Sequence, residues 1–100
     1  MDEEKGLHEK INLETSKIAW KELQRFFAAG KAIAVGPSLD LVEVALQISQ
    51  DNKSEVAQWM SSGYVNGVTD EQAREWLNTN ASVWAVVVKP WVLVQNIDTQ

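Results

Sequence analysis

The 100 residues contain no cysteine, one histidine and two prolines. Without cysteine there is no disulfide framework and no thiolate metal site, and a reducing cytoplasm is the natural setting. One histidine, His8, cannot assemble the several converging ligands that a metal centre needs. It reads instead as a solvated residue of a polar segment. No apolar run approaches the ~20 residues of a membrane span. The first ten residues, MDEEKGLHEK, are acidic and polar, unlike a secretory leader. Basic residues are also few: 9 Lys and Arg stand against 14 Asp and Glu, a net charge of −5. That balance repels nucleic acid and anionic membrane on average.

Catalytic patterns are missing as well. No serine lies in a G-x-S-x-G elbow, and AVGPS (34–38) lacks the Gly-Lys of a phosphate loop. With no thiol and one badly placed imidazole, nucleophilic catalysis has little to work with. The sequence points away from an enzyme and implies no cofactor and no metal.

What is present suits one domain over 1–100, with a loosely attached N-terminal helix over about 1–12 and a core over 13–96. Apolar residues make up 45% and charged residues 23%, ordinary globular usage. Five tryptophans against one tyrosine and two phenylalanines are unusual. Each can bury about 150–250 Å², so their placement bears heavily on the core.

The spacing of Ala19, Leu23, Phe26 and Phe27 predicts a helix over 18–29, with Gly30 as its C′ residue. KAIAV (31–35) predicts a short strand. After the GPS break, Leu41, Val44, Ala45 and Ile48 stripe a helix capped by Ser38 or Asp40, with Glu43 in capping-box position. Another helix follows the turn at 50–54, with Val56, Trp59 and Met60 on one face and Gly63 at its end. YVNGV (64–68) predicts a second strand. It runs into TDEQ, a capping pattern that opens a helix to about Asn78.

The closing stretch, Val83 to Gln95, is apolar on both faces when extended, so it belongs in the interior of a sheet. Thirteen extended residues would span over about 40 Å, too long for a domain whose radius of gyration is about 13 Å. A kink at Lys89-Pro90 is therefore expected. A two-residue hairpin there is disfavoured, because primed turns need φ > 0. The first half should lie beside the two earlier strands, and the second half should cover the core or project to a partner.

The resulting expectation is an α+β fold with about three strands and four or five helices in a winged-helix-like order. LVEVALQISQDNKSEVAQWM (41–60) has helix-turn-helix spacing. More specifically, NLETSKIAWKELQRFFAAG, LDLVEVA, the step from Trp59 to Gly63, DEQA and VWAVVVKPWVLVQ resemble a family of small bacterial proteins known only as a domain of unknown function. The resemblance covers about Ile11 to Gln95. It implies a small cytosolic protein and brings no activity, cofactor or site residue.

Two groups of candidates remain. Lys17, Lys21 and Arg25 recur every four residues and, with Lys31, would form a basic stripe on the 18–29 helix. Its plain alternative is a solvated face paired with Glu14 and Glu22. Lys53 and Glu55 equip the second helix of the helix-turn-helix poorly for the major groove, so nucleic acid is the minor reading. Asp40 with Glu43, and Thr69 with Asp70 and Glu71, read as caps rather than acid–base pairs. Trp84, Pro90, Trp91 and Leu93 are the candidates for an interface, since tryptophan favours contacts. The expected function is a cytoplasmic, non-enzymatic protein-interaction module that pairs with itself or another protein.

Overall fold

A computed structural model describes residues 6, 9–11 and 14–97. The strands are β1 (Ser16–Ala19), β2 (Ala32–Val35), β3 (Val65–Gly67), β4 (Ser82–Val88) and β5 (Trp91–Asn96). They form one sheet in the order β1-β4-β5-β2-β3. Only β2 and β5 pair in parallel; the other three pairings are antiparallel. The helices are a 3-10 turn (Trp20–Leu23), α1 (Gln24–Ala28), α2 (Leu41–Ser49), α3 (Lys53–Ser61) and α4 (Asp70–Asn78). The fold is therefore α+β as expected, but the sheet has five strands where about three were expected.

Residues in β5 explain why the sheet is covered on both faces. Val92, Leu93 and Val94 are consecutive and all fully buried. Successive strand residues point to opposite faces, so both faces need a lid. On one side Leu93 and Val86 pack with Val44 and Ala45 of α2 and with Ile11. On the other, Val92, Val94, Val83 and Ala85 pack with Trp20, Leu23, Ala73 and Trp76. Residues 9–11 and 14 are helical. Ile11 is buried there, and its carbonyl accepts the Thr15 hydroxyl at 2.7 Å. This part of the N-terminal segment is thus anchored. His8 lies outside the described residues.

The closing stretch departs from its expected path. It is a two-residue hairpin: Val88 pairs with Trp91, and the register runs back to Val83 with Asn96. The Lys89-Pro90 peptide is cis. Primed turns are not the sole way to reverse a chain in two residues, so the lack of positive φ at proline does not exclude the hairpin. Reversal also re-sorts the faces. Trp91 and Leu93 join Trp84, Val86 and Val88, while Val92 and Val94 join Val83 and Ala85. It is the second half, β5, that lies against β2, and the first half lies against β1.

The helix expected over 18–29 is shorter. Residues 16–19 form β1 instead, with Ile18 opposite Val83 and Lys17 opposite Trp84. Helix begins only beyond, as the 3-10 turn and α1. The apolar spacing is real from Trp20 onward. Before it, pairing to the outer edge of β4 outweighs local propensity, which is a weak determinant.

Helix ends follow the sequence closely. Gly30 (φ 76°) and Gly63 (φ 82°) adopt the left-handed conformation. The next amides, of Lys31 and Tyr64, donate to Phe26 and Trp59 carbonyls at 2.8 and 2.9 Å, closing a Schellman motif at each end. Asp40 caps α2, accepting from the Val42 amide at 3.0 Å. Glu43 does not complete a capping box; it accepts from Gln47 Nε2 at 2.8 Å. Thr69 Oγ1 caps α4, accepting from the Gln72 amide at 3.1 Å. In chain order α2, the turn and α3 lie between β2 and β3, but the expected winged helix is not confirmed. The five-strand sheet with a parallel pair and helices on both faces is not part of that expectation.

Candidate functional site

The residues singled out in sequence do not form one site. Leu93 is fully buried in the centre of the sheet, so it cannot meet a partner and its place among interface candidates is withdrawn. Trp84 is half-buried, with the Lys17 ammonium 5.2 Å from its ring. Trp91 is half-buried against the same core. Pro90 is exposed at the turn. Lys17, Lys21, Arg25 and Lys31 are all exposed. They fall on β1, the 3-10 turn, α1 and the connection to β2, so they form no single helical stripe. Arg25 lies 5.2 Å over the Phe26 ring.

A concavity lies elsewhere, at the C-terminal ends of the parallel strands. In β2 the face toward α4 carries Ala32, then Ala34, then Gly36, two residues apart. Trp76 and Ala73 of α4 cover the first of these with the rest of that core. Beyond them the small side chains leave a crevice of about 470 Å³, within the usual range for ligand pockets.

Register builds its floor. Ala34 pairs with Val94 on β5 and with Asn66 on β3. Directly paired residues share a face, so Val94, Ala34 and Asn66 form one row. Gly36 donates its amide to the Tyr64 carbonyl at 2.7 Å, which continues the sheet by one row. Asn96 follows Val94 on the same face of β5. A Cβ at position 36 would stand 3.2 Å from the Tyr64 oxygen, so glycine permits the close approach. From the opposite face, Gln95 Nε2 donates to the carbonyls of Gly36 and Leu39 at 2.8 and 2.7 Å and pins this loop.

The wall is α4. Thr69, Gln72 and Trp76 line the crevice at a spacing that places them on one helical face. Asn66 Nδ2 donates to the Gly63 carbonyl at 3.1 Å, and among the described residues its carbonyl oxygen and second N–H are uncommitted. The lining includes Asn66, Gln72, Asn96, Tyr64 and Thr69 and, among the described residues, no Asp, Glu, Lys, Arg or His. Such a lining can bind by hydrogen bonding, and these residues supply no carboxylate or imidazole for proton transfer. Among the described residues no group of three or more His, Cys, Asp or Glu could hold a metal ion. Among the same residues no helix is long and apolar enough to cross a membrane.

Sequence reasoning missed this site because its polar members are far apart and unremarkable singly. AVG at 34–36 was the only hint: small residues alternating along a strand leave space on one face.

Comparison with known proteins agrees with the fold. A family model described as "Protein of unknown function (DUF2288)" matches residues 6–96. The NMR solution structure of PA1075 from Pseudomonas aeruginosa is similar at 42% identity. The match covers 93% of this chain and 86% of that one, with a TM-score of 0.82. No curated protein matches.

Proposed function

This chain belongs to the DUF2288 family of proteins of unknown function, and from that premise we propose that it acts by binding, as a cytoplasmic, non-enzymatic interaction module. The carrying observation is the crevice. It lies outside the carboxyl ends of the parallel strands β2 and β5 and is lined by uncharged hydrogen-bonding groups. Open α/β sheets take ligands at such strand ends, and pockets with a few convergent polar groups are the default ligand sites. The test is an amide-resolved NMR titration of the whole chain with a library of small fragments. Hits should shift the amides of Ala34, Gly36, Asn66 and Gln72 together. A library that leaves those amides unmoved, or shifts only other surfaces, would retire this reading.

Self-association is the second reading, and Val87 favours it. It is 52% exposed in a strand whose neighbours Ala85 and Val86 are buried, and exposed Pro90 lies at the adjoining turn with half-buried Trp91. Apolar side chains grouped at one end of a sheet are suited to a contact with a second copy. Light scattering should show the mass rising toward a dimer with concentration, and Val87→Lys should reverse the rise while the circular dichroism stays native. A constant monomer mass up to high micromolar concentration removes the reading.

A further inference from the structure

Resting on the crevice as a binding site, the geometry points to its ligand class: a neutral, planar heterocycle with an amide-like edge, a donor beside an acceptor.

Charge is the first discriminator. Among the described residues no charged side chain lines the crevice. A carboxylate or ammonium brought there would lose water without finding a counter-charge, a costly exchange. The amino end of α4 would by itself favour an anion. Asp70 and Glu71 occupy its first turn and offset that preference.

Shape is the second. The floor is Ala34 and Gly36, a strip without a protruding side chain, and Val94 beside them is fully covered. Asn96 on β5 and Asn66 on β3 bound the strip on either side of β2. Two strand spacings make that about 9–10 Å, the width of a one- or two-ring system lying flat.

Edge chemistry is the third. Asn66, Gln72 and Asn96 lie around the strip, and each carboxamide presents a carbonyl acceptor and an NH₂ donor side by side. A lactam, imide or ureide edge matches that pattern with two parallel hydrogen bonds. A sugar hydroxyl offers no flat face to the floor.

The probes are uracil, orotate (uracil carrying one carboxylate), benzamidinium and glucose, titrated into the isotopically labelled full chain. Uracil should produce saturable shifts at Ala34, Gly36, Asn66, Gln72 and Asn96. Orotate, benzamidinium and glucose should each bind there at least about tenfold more weakly, the penalty for an unmatched charge or a lost flat contact. Gln72→Ala and Asn96→Ala lie at the rim, and each should weaken uracil about three- to tenfold, one net hydrogen bond, with the rest of the spectrum native. Equal or tighter binding by a charged probe or by glucose overturns the class, as does uracil binding that both variants leave unchanged. If uracil fails while other fragments still shift the crevice amides, the class is wrong and the site stands. If no fragment shifts them, the site itself falls.

Discussion

Trp20→Ala should cost the domain about 3–5 kcal/mol, the range for emptying a large aromatic from a core. Trp20 has no exposed surface. Its ring packs 5.0 Å from Trp76 and edge-on to Phe27 at 6.0 Å, and each aromatic pair adds about 0.5–1.5 kcal/mol beyond burial. Its backbone also ties two elements, donating to the Ala81 carbonyl at 2.9 Å. A domain of this length has about 5–15 kcal/mol of total stability, so the loss is a large share of it. The melting temperature should fall by roughly 12 °C or more.

Trp20→Phe separates packing from polarity. The indole N–H is buried and has no acceptor among the described residues. An unsatisfied buried donor costs about 1–3 kcal/mol, and phenylalanine removes it while keeping most of the ring. The Phe variant should therefore lose less than half of what the Ala variant loses. Urea unfolding followed by near-ultraviolet dichroism measures both. Equal losses would mean that the N–H is satisfied after all, and a loss below about 1 kcal/mol for Ala would mean that the ring is not a core element.

These residues also show what the linear sequence makes legible. Gly30, Gly63, Asp40 and Thr69 act through neighbours a few positions away, so their helix ends were readable without knowing the fold. The apolar run of β4 and β5 was readable as sheet interior, because a strand greasy on both faces has no other stable place. What escaped was non-local. Ile18 and Ala19 fall within the expected helix and become strand because β4, far along the chain, presents an edge to them, Val83 opposite Ile18 and Ser82 opposite Ala19. The crevice escaped for the same reason. Asn66 and Val94 share a row only through their common partner Ala34, and no local pattern announces that.

Leu93→Ala tests the revised place of the closing segment directly. A contact residue at a surface could be truncated with little effect on an isolated copy. A residue in the central strand cannot. Leu93 pairs with Val86 on β4 and Ile33 on β2 and lies beneath Val44 and Ala45 of α2. Its truncation should cost about 2–5 kcal/mol, with the urea dependence of the free energy unchanged, since the folded and unfolded states expose the same surfaces. Trp91→Ala, one pleat toward the turn and half-buried, should cost distinctly less despite removing more atoms. The ordering of the two carries the distinction. Should Trp91→Ala prove the more damaging, the second half of the segment is not the interior strand, and the row that holds Val94 beside Ala34 would go with it.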